Sequence, residues 1–217
     1  MSKLIKMPSI YQLKPAFQNL LRPFVKWLYL KKITANQITL SAMFISVMLA
    51  IALYYVSINH QPVILFLLFP VWMLLRMGFN AIDGMLAREF NQQTKLGAYL
   101  NEICDVISDS ALYLCFLGLA FINSFLLGLV VFLAILSEYA GVMAPLIGQE
   151  RRYDGPMGKS DRAFWFSLIA LCVSFSSYLK ENNYLNSIIY FCNGILLFIA
   201  VLLILTIYNR IKNSIKI

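Results

Sequence analysis

The chain has 217 residues, 60% of them apolar and only 13% charged, with a mean hydropathy of +0.74. A soluble domain carries about 45–50% apolar and about 25% charged residues, so this composition excludes a disordered chain and a small disulfide-stapled scaffold and points to a membrane protein with enough apolar residues for six spans of about 20 residues. The net charge of +8 and pI near 9.4 raise the question of nucleic acid, and the placement of the charges answers it.

Residues 1–35 read as an N-terminal segment and residues 36–217 as the membrane domain. In the first, Leu13, Phe17, Leu20, Leu21, Phe24 and Leu28 recur at helical spacing, with Lys14, Gln18, Arg22 and Lys26 on another face. A basic stripe beside Phe, Leu and Trp27 describes an amphipathic helix lying in the membrane interface. The alternative is a solvated helix packed on a soluble partner. Pro15 and Pro23 argue against one unbroken helix, and Pro23 predicts a kink. No small-residue cleavage site follows a short apolar core, so a cleaved signal peptide is not expected.

Six hydrophobic runs follow, at 36–58, 63–87, 97–120, 125–147, 162–179 and 185–208. The expected fold is therefore an all-α integral membrane protein, with six transmembrane helices preceded by the interfacial helix. Sixteen of the eighteen Lys and Arg residues precede the first run, follow the sixth, or lie between runs two and three or four and five. Lys180 lies opposite, and Arg76 falls inside a run. The positive-inside rule then puts both termini in the cytoplasm, and the basic charge expresses topology, with no nucleic acid expected as a partner. Pro70 and Pro145 fall within spans, where neighbouring helices can satisfy the freed carbonyls. Cys104, Cys115, Cys172 and Cys192 lie in apolar runs without metal-ligand spacing and read as small buried hydrophobes. His60, the one histidine, falls in a loop on the far side, so no Ser-His or Cys-His nucleophile pair is expected near the cytoplasmic face.

Five of the ten acids lie inside runs: Asp83, Glu102, Asp105, Asp109 and Glu138. An ionisable group costs at least about 2.5–3.5 kcal/mol at a helix centre on the insertion scale. Four of them on two consecutive helices ask for a cation, and hard divalent ions take carboxylate oxygens. Asn80, Asp83, Gly84 and Ala87 share one helix face, as do Gly97, Asn101, Asp105 and Asp109. A hairpin turning at Gln92 and Gln93 sets Asp83 level with Glu102 and Asn80 level with Asp105. The first polar groups then converge about 12–19 Å from the turn at 1.5 Å per residue, in the cytoplasmic half of the bilayer. Arg76 falls level with Asp109, which leaves Asp109 either a structural ion pair or metal ligation.

The segment Asn80-x-x-Asp83-Gly84-x-x-Ala87-Arg88-x₈-Gly97-x₃-Asn101-x₃-Asp105 resembles the signature of the CDP-alcohol phosphatidyltransferases, Asp-x-x-Asp-Gly-x-x-Ala-Arg-x₈-Gly-x₃-Asp-x₃-Asp. Six of the eight fixed positions match and every spacing is kept. Asn36-Gln37-Ile38-Thr39 is similar to the family's Pro-Asn-x-x-Thr, with Ala35 in place of proline. The resemblance implies phosphatidyl transfer in phospholipid biosynthesis, dependent on one or two Mg²⁺ or Mn²⁺ ions. In it, the hydroxyl of a small alcohol or phosphorylated alcohol attacks the lipid-side phosphorus of a CDP-diacylglycerol-type donor, and CMP leaves. It implies metal ligands at Asp83, Asp105, Asn80 and Asn101, with Asp105 as general base, and a CDP site at Gly84, Ala87, Arg88 and Gly97. It also implies an inner-membrane location, an active site open to the cytoplasm, membrane lipids as surroundings and a homodimer. The residue types suit this chemistry: Gly84 and Ala87 let a nucleotide approach the helix, and Arg88 can bind phosphate bidentately. Ile82 and Met85 between them are expected to pack.

Asn80 and Asn101 occupy two of the family's aspartate positions. An asparagine carbonyl can ligate a metal but brings no negative charge. Either one ion is held, or Glu102 and Asp109 supply the missing charge; Glu102 lies about 60° from Asp105 around the helix. In the loop leading into span five, Arg151, Arg152, Lys159 and Arg162 offer a pocket for the phosphate of a phosphorylated acceptor or for the donor headgroup. The alternative is anchoring to anionic lipid, at about 1 kcal/mol per basic residue. Gly155, Gly158 and Ser160 favour backbone N–H donation there. Glu138, deep in span four, is expected to face a cavity, with a role toward a substrate hydroxyl. Two other classes compete: a catalytically degenerate family member serving as a membrane scaffold, marked by the two asparagines, and a secondary transporter. A transporter would show repeats, broken helix pairs and a midplane site, and the sequence shows none.

Overall fold

A computed structural model describes residues 10–59, 63–176, 178 and 185–215. Lys3, Lys6, His60, Lys180 and Lys216, and the side chains of Leu13 and Lys14, lie outside the described residues. The helices are α1 (Ile10–Leu30), α2 (Ala35–Ile58), α3 (Leu68–Glu89), α4 (Lys95–Leu114), α5 (Ser124–Met143), α6 (Lys159–Ser174) and α7 (Leu185–Ile215), with 3-10 turns at Val63–Leu67, Cys115–Gly118 and Ala144–Ile147.

Among the described residues, four stretches are long and apolar enough to cross a membrane: Ala35–Ile58, Val63–Glu89, Ser124–Ile147 and Asn186–Ile215. The other two expected spans fall short for identifiable reasons. Helix α4 carries Lys95, Glu102, Asp105 and Asp109, which depress its hydropathy. Helix α6 has 16 residues, with Lys159, Asp161 and Arg162 in its first turn, and reaches only about 24 Å at 1.5 Å per residue against a core of about 30 Å.

Contacts divide the chain into two compact units. The first comprises the described residues up to Ala42 together with Leu75–Cys104. Here α1 runs unbroken through both Pro15 and Pro23, contrary to the expected interruption. Proline inside a helix costs about 3 kcal/mol or more; packing of Leu21, Val25 and Leu28, on either side of Pro23, against the rest of the unit offsets that. The apolar stripe of α1 is also divided. Val25 and Leu28 are buried with Ala35, Ile38, Ile82, Met85 and Leu86, whereas Phe17, Leu20, Phe24 and Trp27 are exposed. Arg22 forks onto Glu89 at 3.0 and 3.2 Å, and Tyr29 stacks on Phe90 with centroids 4.3 Å apart.

Local signals set the helix starts of this unit. Thr34 and Gln37 exchange side-chain and backbone hydrogen bonds, 2.9 and 3.3 Å, in a capping box. The Thr94 hydroxyl accepts from Gly97 N at 2.9 Å to cap α4. Between α3 and α4, Asn91 takes a left-handed conformation (φ 54°), a position asparagine tolerates. Gln92 in that turn accepts from Ala35 N at 2.8 Å. The expected hairpin turn at Gln92 and Gln93 is therefore present.

The second unit comprises Met43–Leu74 and the described residues from Asp105 onward. Helix α5 packs along α7, and α6 packs on α7 and on Val63–Leu67. Its core is aromatic: Phe116 lies 5.3 Å from Phe66, 5.2 Å from Phe69 and 5.8 Å from Phe166, and Phe166 stacks on Tyr113 at 3.9 Å. Cys115 and Cys192 are buried free thiols, Cys172 is half-buried, and Cys104 of the first unit is buried too.

The loop before α6 is pinned to α7. Met157 N donates to Thr206 Oγ1 at 2.9 Å, and the Met157 side chain is fully buried. Gly155 has φ +120°, and a Cβ there would lie 2.6 Å from the Thr206 Cα. Gly155→Ala thus meets both backbone strain and a backbone clash. We expect it to destabilise the protein by at least about 2 kcal/mol, read as a lowered thermal midpoint in detergent, with an alanine at the open position Gly128 as control.

Candidate active site

In the first unit, α3 presents Asn80, Asp83, Gly84, Ala87 and Arg88 in successive turns. Asp83 is buried, and its Oδ2 accepts a hydrogen bond from Thr39 Oγ1 at 2.7 Å. Thr39 thereby fixes the direction in which this carboxylate points. The Arg88 guanidinium folds back over Gly84: a Cβ at Gly84 would meet its Nη2 at 2.8 Å. A Cβ at Gly97 would lie 2.8 Å from Asn36 Oδ1. Two of the three polar residues of the Asn36-Gln37-Ile38-Thr39 segment thus reach positions of the longer motif, Gly97 through Asn36 and Asp83 through Thr39. Ile82 and Met85 are buried core, while Asn80, Asn101 and Glu102 are half-buried.

In the second unit, α4 and α6 form a two-rung charge ladder. Lys159 Nζ pairs with Asp105, and one turn along both helices Arg162 Nη2 pairs with Asp109 at 3.1 Å. Arg162 is 1% exposed and also reaches Glu138 of α5 at 2.9 Å. Glu138 gathers two further arginines, Arg151 at 3.3 Å and Arg210 at 3.4 Å. Arg210 is anchored besides on the carbonyls of Ser137 and Asp154. Arg152 forks onto Asp154 at 2.6 and 3.0 Å. Burial works to raise the Asp154 pKa, but the hydrogen bonds and charge of Arg152 outweigh it and hold the carboxyl below the usual range.

Glu138 does face a cavity, which it lines with Asp109, Ser110, Tyr113 and Arg162. About 10 Å³ is open there to the centre of a water, room for one water or one hydroxyl. Each basic residue expected to form a phosphate pocket has a carboxylate partner within this unit. Asp109, for which metal or Arg76 were the alternatives, is bridged by Arg162.

Arg210 was missed as a member of the cluster. It reads from the sequence as a cytoplasmic cation beyond a span ending near residue 208, but α7 continues to Ile215 and buries it. The available signal was Thr206, Arg210 and Ser214, polar residues at i, i+4, i+8 that mark one face of an otherwise apolar helix; all three are buried.

The donor set of the motif suits a hard divalent cation: two carboxylates, Asp83 and Asp105, and two amide carbonyls, Asn80 and Asn101, all oxygen. Among the described residues no group of three or more His, Cys, Asp and Glu side chains could hold a metal ion.

Residues 32–206 match the CDP-alcohol phosphatidyltransferase family. The chain belongs to this family. It is 47% identical over 206 residues to the inner membrane protein YnbA of Escherichia coli K12, covering 94% of this chain and 96% of that protein. It is 32% identical over 111 residues to the phosphatidylinositol phosphate synthase of Corynebacterium glutamicum, across 49% of this chain and 45% of the relative. Among solved structures it is similar in fold to the phosphatidylinositol phosphate synthase PgsA1 of Mycobacterium tuberculosis. The complex of that enzyme with manganese and citrate gives a TM-score of 0.68 at 19% identity, covering 88% of this chain and 87% of that one. The form with CDP-DAG bound gives 0.67 at 19% identity, covering 88% and 92%. As a CDP-alcohol phosphatidyltransferase, the chain is a multi-pass inner-membrane enzyme of phospholipid synthesis that moves a phosphatidyl group from a CDP-linked lipid.

Proposed function

We propose that the enzyme transfers the phosphatidyl group of a CDP-diacylglycerol-type donor to the hydroxyl of a small acceptor alcohol at the cytoplasmic face of the membrane. The reading is carried by the motif around Asp83, whose carboxylate Thr39 orients and whose Arg88 lies over Gly84. In the proposed reaction the acceptor oxygen bonds to the lipid-side phosphorus and its proton passes to Asp105. The bond from that phosphorus to the bridging oxygen breaks, and CMP leaves with that oxygen. Asp83, Asp105, Asn80 and Asn101 would hold Mg²⁺ or Mn²⁺, with Glu102 as a further carboxylate at the same depth. The ion would supply charge neutralisation on the pyrophosphate. Arg88 contributes bidentate donors to phosphate, and Gly84, Ala87 and Gly97 keep the helix surfaces low beneath the nucleotide. Lys159 yields Asp105 when the site fills. The loop residues Arg151, Arg152, Lys159 and Arg162, with Glu138, form the acceptor side.

The same proposal makes α4 and α6 the third and fifth of six spans, both termini cytoplasmic, α1 an interfacial helix with Phe17, Leu20, Phe24 and Trp27 toward lipid, and the assembly a homodimer. The deciding assay is CMP release and lipid product formation from CDP-diacylglycerol in liposomes, with candidate alcohols and Mg²⁺ or Mn²⁺. Asn80 and Asn101 favour a second reading, a degenerate member without turnover; no donor consumption under any of these conditions would establish it.

Thr39→Val removes the bond that orients Asp83 and keeps the side-chain volume. We expect it to weaken activation by Mn²⁺ by about 10–100-fold, as partners of metal-ligating carboxylates do, with the thermal midpoint held near wild type. A Mn²⁺ titration of CMP release measures this, and an unchanged titration would remove Thr39 from the site.

A further inference from the structure

The cluster around Glu138 carries information on the acceptor, resting on the transfer reading above. Five cations surround the proposed acceptor side, and each is matched within the chain: Arg151, Arg162 and Arg210 by Glu138, Arg162 also by Asp109, Lys159 by Asp105, and Arg152 by Asp154. A pocket that recognises a phosphate dianion needs cations whose charge is not already neutralised, and it gains from forked arginine donors. Here Glu138 occupies the centre of the three arginines, where an incoming phosphate would have to sit.

The cavity wall points the same way. Two of its polar groups are the carboxylates of Asp109 and Glu138, beside Ser110, Tyr113 and Arg162. Carboxylates repel phosphate and accept hydrogen bonds from hydroxyls. Arg162 Nε is a buried donor with no hydrogen-bond partner among the described residues. A hydroxyl both donates and accepts, so it can satisfy a carboxylate and this N–H together, and the cavity admits one such group. It lies one turn along α4 from Asp105, about 6 Å at 1.5 Å per residue, which suits an acceptor presenting one hydroxyl for proton removal and another for recognition.

We propose that the acceptor is an uncharged polyol rather than a phosphorylated alcohol, and that Glu138 sets this specificity by standing in the place of the acceptor phosphate. The test uses the full chain in liposomes containing CDP-diacylglycerol, with Mn²⁺ and paired acceptors: glycerol against glycerol 3-phosphate, and inositol against inositol 1-phosphate. The expected result is a kcat/KM at least tenfold higher for the unphosphorylated member of the pair that is used. In Glu138→Gln, which leaves three arginines without their carboxylate, this preference falls at least tenfold, and Glu138→Asp restores it. Preferential use of a phosphorylated acceptor by wild type would overturn the proposal while leaving the transfer reading intact. No CMP release with any acceptor would overturn both. Where Glu138→Gln does not fold, competition by inorganic phosphate on the wild-type protein decides. Inhibition that competes with the acceptor counts against the proposal, and its absence supports it.

Discussion

Glu138→Ala is expected to destabilise the folded chain by about 3–5 kcal/mol, the range for removing one partner of a buried ion pair. The size follows from what the substitution strands. Arg162 and Arg210 are 1% and 2% exposed, so neither can recover its hydration when the carboxylate disappears. Asp109 still neutralises Arg162, whereas Arg210 retains, among the described residues, the carbonyls of Ser137 and Asp154. The residues involved come from α4, α5, α6, α7 and the loop before α6, so the loss is felt across the second unit and not at one contact. Thermal denaturation in detergent, followed by helix ellipticity, would measure it. A second substitution separates charge from packing: Arg210→Met added to Glu138→Ala removes an uncompensated cation, and we expect it to recover part of the lost stability. A midpoint for Glu138→Ala within a degree of wild type would mean that water or lipid headgroups, not Glu138, solvate these arginines.

That cluster also marks the limit of what could be read from the amino acids alone. The apolar runs placed these helices well, since burying backbone in lipid leaves few alternatives to helix, and the runs at 36–58 and 125–147 coincide closely with Ala35–Ile58 and Ser124–Ile147. The motif spacing placed Asn80, Asp83, Gly84 and Ala87 on one face and located the α3–α4 turn. Partnerships were less accessible. A count of basic residues by loop treats Arg162 and Arg210 as cytoplasmic charges, because hydropathy records composition and not which side chain a neighbouring helix will present. Only the packing of α5 and α6 on α7 brings Glu138 to them. Likewise the apolar positions of α1 predicted one face toward lipid, but helix α3 claims Val25 and Leu28, and proline at 23 is carried through because that packing holds the helix on both sides of it.

The largest effect on activity is expected for Asp105→Asn. The substitution keeps size and hydrogen-bonding shape but removes the charge and the basicity, and general-base catalysis contributes about 10²–10⁴-fold. We expect kcat for CMP release to fall by that factor. The fold should persist, because Asp105 is half-buried and its partner Lys159 has a side chain 31% exposed, so Lys159 can turn to solvent once the charge opposite is gone. This distinguishes Asp105 from Glu138, whose partners have no such route. Near-equal loss of kcat and kcat/KM, with donor binding and thermal midpoint retained, is the signature of an interaction made only in the transition state. A rise in the KM for the donor alone would assign Asp105 to binding. Asn101→Asp, one turn earlier on α4, probes the same charge balance from the other side. Adding a carboxylate where the family pattern has one should lower the Mn²⁺ concentration needed for half-maximal activity, and in the Asp105→Asn background it should not restore kcat, because a ligand at residue 101 cannot take the proton that Asp105 takes.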